Sequence, residues 1–145
     1  MRESNGAIPG PGVIHDFARK TILLVEDEQT VRHLLHEVLE RAGYEVLSCA
    51  HPAEGIEACR QRTGPIDLLL TDVVMPGMNG KEMALQIAQM IPELRVVFMS
   101  GYSEHTLLKD GQLDAHIEYL QKPFSLQTLR LRLARVIGEA QNHVQ

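Results

Sequence analysis

The stretch TILLVEDEQT, residues 21–30, decides the fold. Thr21 to Val25 contain one polar group among five residues, as suits a strand in the middle of a sheet and covered on both faces. Glu26, Asp27 and Glu28 then stand side by side. Beyond them Val31, Leu34, Leu35, Val38, Leu39 and Ala42 recur at the spacing of one helical face, which Gly43 can close. The pattern is a strand followed by a helix, with three mutually repelling carboxylates at the turn between them.

Outward from this unit the alternation repeats. YEVLSC (44–49) reads as a strand, and a helix carrying Ala53, Ile56 and Cys59 follows until Thr63, Gly64 and Pro65 break it. IDLLLT (66–71) is the most apolar strand candidate. A loop with Pro76, Gly77 and Gly80 leads from it to a helix with Met83, Ala84, Ile87 and Ile91. RVVFMS (95–100), a short helix near 104–110 and IEYL (117–120) bring the strands to five. In the last segment Leu129, Leu131 and Leu133 alternate with arginines as a strand would. Length decides for a helix, because Leu126, Leu129, Leu133, Val136 and Ile137 form a stripe over about three turns, longer than an ordinary strand.

Five strands alternating with five helices predict an α/β fold whose parallel sheet is covered on both faces. Right-handed crossovers favour the flavodoxin-like, doubly wound (βα)5 arrangement with strand order 2-1-3-4-5. Residues 1–19, with Gly6, Pro9, Gly10, Pro11 and Gly12, read as a flexible leader, 20–140 as the domain and 141–145 as a C-terminal tail. With 145 residues, 44% of them hydrophobic, the chain suits one domain. A formal net charge of −5 gives no general support for holding nucleic acid or an anionic bilayer and favours a metal cation. No apolar run is long enough to span a membrane and no secretory pattern opens the chain, so a cytoplasmic location without membrane partners is expected. Cys49 and Cys59 read as reduced thiols, His33 and His36 as surface residues rather than zinc ligands. Arg130, Arg132 and Arg135 read as a solvated or protein-facing surface.

In sheets of this kind the working site lies beyond the carboxyl ends of the strands, where the order reverses. Strand one ends on Glu26 and Asp27, strand three on Thr71 and Asp72, strand four on Ser100 and Gly101, and strand five on Gln121, Lys122 and Pro123. Glu26, Asp27 and Asp72 should therefore converge, at a cost of about 2–4 kcal/mol per pair of like charges. A hard divalent ion held by these oxygens, Mg²⁺, meets the need, and Lys122 adds a second positive charge. Without metal, one of the acids should hold a proton unusually readily. Each residue also has an ordinary reading: Asp27 or Glu28 as a helix cap, Asp72 as a turn former, Lys122 as a solvated lysine. All of these would have to coincide at one sheet edge. Asp67 serves as a control, since about 3.3 Å per residue puts it some 16 Å from Asp72, at the opposite end of its strand.

LLVEDE, LLLTDVVMPGMNG, VFMSGYS and YLQKPF resemble, in order and spacing, the signatures of response-regulator receiver domains of two-component signalling, over about residues 20–140. The resemblance implies that Asp72 is the nucleophile and phosphorylation site, taking a phosphoryl group from a sensor histidine kinase or a histidine phosphotransfer protein. It implies Mg²⁺ bound by Glu26, Asp27, Asp72 and the Val74 backbone carbonyl. Ser100 looks like the hydroxyl that meets the phosphoryl oxygen, Lys122 like its charge partner, and the Lys122–Pro123 bond is expected to be cis. Ser100 and Tyr119 match the switch pair, so that phosphorylation remodels the face of the fourth helix, fifth strand and fifth helix, through which a homodimer is also implied. Two departures bear on chemistry. Glu26 stands where aspartate is commoner, and Val74 and Tyr102 occupy the positions that tune hydrolysis of the aspartyl phosphate, which implies slow self-dephosphorylation.

FMSGYSE and LQKPFS look most like receivers attached to hybrid sensor histidine kinases. Three other readings are weighed: a Mg²⁺-dependent phosphohydrolase with an aspartate nucleophile, a flavin or nucleotide binder, and a pseudo-receiver that binds partners unphosphorylated. The hydrolase needs an acid two residues beyond the nucleophile, where this chain has Val74. A flavin or nucleotide binder would need a phosphate-cradling loop where EDEQT stands. Direct catalysis beyond self-catalysed phosphotransfer and dephosphorylation is not expected.

Overall fold

A run of five residues that water never reaches forms the centre of the sheet: β1, Thr21–Val25, is buried along its whole length. The computed structural model describes residues 19–101 and 117–144, with side chains as far as residue 138. After β1 come α1 (Gln29–Arg41), β2 (Glu45–Cys49), α2 (Pro52–Gln61), β3 (Leu68–Asp72), α3 (Gly80–Met90), β4 (Arg95–Ser100), β5 (Ile117–Gln121) and α4 (Leu126–Val144). The strands are parallel and lie in the order β2-β1-β3-β4-β5, the order 2-1-3-4-5 expected of a flavodoxin-like fold. Four helices lie among the described residues; the short helix expected near 104–110 falls outside them.

The pleat sends alternate residues of β1 to opposite faces, and each face has its own core. Leu23 and Val25 pack with Ile56, Leu69, Met83, Ile87 and Phe98 under α2 and α3. Ile22 and Leu24 pack with Leu35, Leu39, Leu70, Met99, Leu129 and Leu133 under α1 and α4. Burying side chains of this size contributes about 1.5–3 kcal/mol each, which is why a central strand without polar alternation is stable only in a sheet covered twice.

The last segment is helical, and the three leucines show why: Leu129 and Leu133 are in the core while Leu131 is 64% exposed. In α1 the buried stripe is narrower than its apolar residues suggest. Leu35 and Leu39 carry the packing, whereas Leu34 is 48% exposed, because it sits about 100° round the helix from Leu35. Gly43, at φ 105°, ends this helix in the left-handed conformation, and the Tyr44 N–H reaches back to the Leu39 carbonyl at 3.2 Å. The third strand runs from Leu68 to Asp72 rather than 66 to 71. Asp67 binds Thr21 through both its main-chain N–H and its side chain just before the ladder proper begins.

Candidate functional site

Asp72 is the last residue of β3 and is 5% exposed, so the strand delivers a carboxylate to the sheet edge with little access to water. Glu26, the residue after β1, is 2% exposed. Its N–H donates to the Cys49 carbonyl at 3.1 Å, continuing the β1–β2 ladder by one rung, and its Oε2 accepts from the Glu28 N–H at 3.1 Å. Glu26 Oε1 is buried and has no hydrogen-bond partner. Asp27 is exposed at the rim. One carboxylate oxygen from each of Glu26, Asp27 and Asp72 lies within 4.8 Å of the other two.

Lys122, just past β5, brings its Nζ to 2.6 Å from Asp72 Oδ1. That oxygen has no donor well aligned on it, so the contact is charge attraction rather than a directed hydrogen bond. The acids and the lysine line an open, polar pocket of about 570 Å³ together with Glu28, Gln29 and Val74. Burial, and after it the neighbouring Asp72 carboxylate, push the Glu26 carboxyl up to about 8; the Glu28 N–H and Lys122 pull the other way. In the metal-free protein Glu26 thus holds a proton far more readily than a free glutamate.

Three acid side chains within reach of one ion, two of them with a buried oxygen that lacks a hydrogen-bond partner, fit Mg²⁺, which takes hard oxygen ligands and keeps several waters. The helix-cap reading of the acids finds no contact to support it: Glu28 occupies the N-cap position of α1 but its side chain makes no cap hydrogen bond.

The remaining residues singled out in the sequence are placed as follows. Ser100 ends β4, is fully buried, and its Oγ has no hydrogen-bond partner. Tyr119 lies beside Phe98 in the β4–β5 register; the rings stack with centroids 6.4 Å apart and planes at 21°, leaving the tyrosine half-buried. The Lys122–Pro123 peptide is cis. Val74 lines the pocket and is 51% exposed. Tyr102 lies outside the described residues. Cys49 and Cys59 are free thiols, both pushed up by burial, Cys49 to about 11. His36 stays on the surface, its Nδ1 2.5 Å from Ser48 Oγ and its Nε2 3.2 Å from Glu40. Arg132 and Arg135 turn back on β5 to pair with Glu118.

Two residues that support the site carry little signal in the sequence. Gly80, noted there only as a loop residue, opens α3 against the main chain of the acceptor strand: its N–H donates to the Val73 carbonyl at 2.6 Å, and a Cβ at this position would collide with the Asp72 carbonyl oxygen. Asn79 and Glu82 hold that helix start in a reciprocal capping box. Arg32, in the first turn of α1, donates from Nη1 to the Glu26 carbonyl at 2.8 Å. Both contacts are to main-chain oxygen, which no pattern of side chains announces.

A doubly wound sheet with acids gathered at the ends of its first and third strands, and a lysine brought in from the fifth, defines a class of α/β domain built around a cation-fitting pocket. The profile of the response regulator receiver domain matches residues 22–134, and the chain belongs to that family, a receiver domain of two-component signalling. The response regulator receiver protein CpdR of Brucella abortus (strain 2308) is 37% identical over 110 residues, covering 76% of this chain and 90% of that protein. The sensor kinase CckA of the same organism is 37% identical over 109 residues, 75% of this chain, but the match spans only 12% of the kinase. The crystal structure of the receiver domain from the hybrid histidine kinase CckA matches with a TM-score of 0.69 and 30% identity, covering 81% of this chain and 98% of that one. Receiver domains bind Mg²⁺ at an acidic pocket and act as signalling domains rather than as classical enzymes. Among the described residues no helix is long and apolar enough to cross a membrane.

Proposed function

We propose that this domain is a phosphoacceptor switch in which Asp72 takes a phosphoryl group from the phosphohistidine of a sensor histidine kinase or histidine phosphotransfer protein. The observation that carries the reading is the meeting of Glu26, Asp27 and Asp72 within 4.8 Å, with Lys122 2.6 Å from the acceptor carboxylate. A carboxylate oxygen of Asp72 attacks phosphorus in line, the phosphorus–nitrogen bond breaks, and the imidazole nitrogen keeps the electron pair. Lys122 shifts from its ion pair with Asp72 toward the phosphoryl oxygens as the carboxylate becomes an acyl phosphate. The buried, unpartnered Ser100 Oγ is the donor offered to another of those oxygens.

Glu26, Asp27, Asp72 and the Val74 carbonyl would hold Mg²⁺, which supplies countercharge to the phosphoryl oxygens and lowers the cost of gathering the acids. Glu26 is long enough for its contact to pass through a water. Engagement of Ser100 draws β4 toward the pocket, and Tyr119, stacked on Phe98 in the neighbouring register, carries that change to the face of β5 and α4. That face is the surface for a homodimer or a downstream protein, with no direct role for nucleic acid or membrane. Val74 offers hydrolytic water no polar side-chain group, and with the bulky Tyr102 it sets slow self-dephosphorylation. A Mg²⁺-dependent phosphohydrolase would need an acid where Val74 stands, which leaves the switch as the reading the pocket supports best. Cytoplasmic location follows from this role.

The test uses a small-molecule phosphodonor, or beryllofluoride, with Mg²⁺. Intact mass should rise by one phosphoryl group on Asp72, and the spectral change with beryllofluoride should disappear in Asp72→Asn. Uptake at another residue, or none in the wild type, would reject the assignment.

A further inference from the structure

Glu26 is fixed at three points. Its N–H is bound to Cys49 on β2, its Oε2 to the Glu28 N–H, and its carbonyl to Arg32 from α1. The first contact extends the sheet and the second closes the turn, but the third comes from a long side chain reaching back across the turn. Arg32 is half-buried, and its guanidinium lies against the main chain of the segment that carries Glu26 and Asp27.

That placement answers a mechanical problem. Three carboxylates held within 4.8 Å repel one another, and of the three Asp27 is the exposed one, on a turn with no side-chain cap at the start of the following helix. Left to itself, the easiest relief is for this turn to swing toward solvent and carry Asp27 away from Asp72. A charge-assisted hydrogen bond to the Glu26 carbonyl opposes that movement, because it ties the turn to α1, which is itself packed on the sheet through Leu35 and Leu39.

We propose that Arg32 is a positioning residue for the metal pocket: by clamping the Glu26 carbonyl it keeps Glu26 and Asp27 converged on Asp72 in the metal-free protein, ready for the ion. The inference rests on the phosphoacceptor reading above and deepens it. Arg32 is not among the residues that line the pocket, and it acts through those that do, as outer-shell partners of metal ligands commonly do.

The experiment measures metal affinity in folded protein, separately from phosphotransfer. Mn²⁺, visible by electron paramagnetic resonance, and Mg²⁺ by calorimetry are titrated into the wild type, Arg32→Met and Arg32→Lys, with folding checked by circular dichroism. Arg32→Met should bind about tenfold more weakly. Arg32→Lys, which keeps the charge and one donor, should recover most of that loss. Should Arg32→Met not fold, Arg32→Gln, which drops the charge, carries the same expectation. Wild-type affinity in a folded, charge-free variant overturns the inference even if beryllofluoride uptake is intact. If the wild type takes up neither metal nor beryllofluoride, the functional reading fails first and this one with it.

Discussion

Where the strands begin, Glu45 and Asp67 are both bound: Arg62 grips Glu45 with two donors at 3.0 Å each, and Asp67 Oδ2 accepts the Thr21 N–H at 2.8 Å. Thr21 Oγ1 joins the same group, donating to Glu45 at 3.2 Å and accepting from Arg62 at 3.3 Å. Where the strands end, Glu26, Asp27 and Asp72 crowd together with one lysine beside them and a buried oxygen that nothing satisfies. The two clusters are ends of the same strands, yet one is closed and the other open. A buried polar atom without a partner costs about 1–3 kcal/mol. At the closed end Arg62 Nε is such an atom although the carboxylates there are paired, whereas at the open end Glu26 Oε1, Asp72 Oδ1 and Ser100 Oγ gather, so the fold gives up more stability there. Acids left in that state are waiting for a ligand; acids already paired are part of the scaffold.

The sharpest way to break the comparison is to neutralise one acid at each end. Asp72→Asn should abolish phosphoryl and beryllofluoride uptake while leaving the metal-free fold as stable as before or more so, because it removes one of the crowded charges. Asp67→Asn should leave uptake unchanged and cost about 0.5–1.5 kcal/mol in urea unfolding, through a weaker bond to the Thr21 N–H. Equal effects on uptake from both changes would erase the distinction between the ends.

Proton linkage separates the ends by sign. Glu26 is raised from 4.5 to about 8 in the folded chain, so between those values the folded, metal-free protein holds a proton that the unfolded chain has lost. Stability from this group is therefore largest at low pH and declines as pH rises through that window. Mg²⁺ must displace the proton, so its apparent affinity should climb with pH, at most tenfold per unit, and level off above about 8. Calorimetry across pH 6 to 9 reads this directly, and a flat profile would show that Glu26 lies outside the binding equilibrium. Next in size is Gly80→Ala. The added methyl must push α3 or the Asp72 carbonyl aside, at a cost of about 1–3 kcal/mol, and should slow phosphorylation as well as lower the melting temperature. Arg62 has no comparable link to uptake.

Much of the open end was legible in the sequence because its elements are side chains at strand termini. Once alternation and right-handed crossovers favoured one sheet order, Glu26, Asp27, Asp72 and Lys122 fell at one edge, and the expectation of an unusually proton-holding acid came from crowding, although burial is the larger cause in the structure. The closed end was harder to read. Asp67 was correctly placed away from Asp72, but its bond to Thr21 and the whole grip of Arg62 depend on which loop side chain folds back over which strand start. Neither periodicity nor spacing encodes that. The same limit hid Arg32 and the reason for Gly80, whose partners are carbonyl oxygens that every residue possesses. The exposure of Leu34 was missed for a simpler reason: a leucine at an i, i+1 position counts toward an apolar stripe yet lies about 100° from it.

The smallest expected effect belongs to Arg62→Ala. The side chains of the pair are 24% and 41% exposed, so solvent screens the attraction, and the loss should be about 0.5–1 kcal/mol at pH 7. Its pH dependence is the mirror of the one at the open end. Arg62 holds the Glu45 carboxyl below its ordinary value, so the pair's contribution is complete above 4.5 and disappears as pH falls through the lowered folded value. Urea unfolding of wild type and variant should therefore differ at pH 7 and converge under acid, with metal affinity the same in both. A variant that weakened Mg²⁺ binding would mean that the paired acids do more than hold the scaffold, and that the two ends of the sheet are energetically joined through β1.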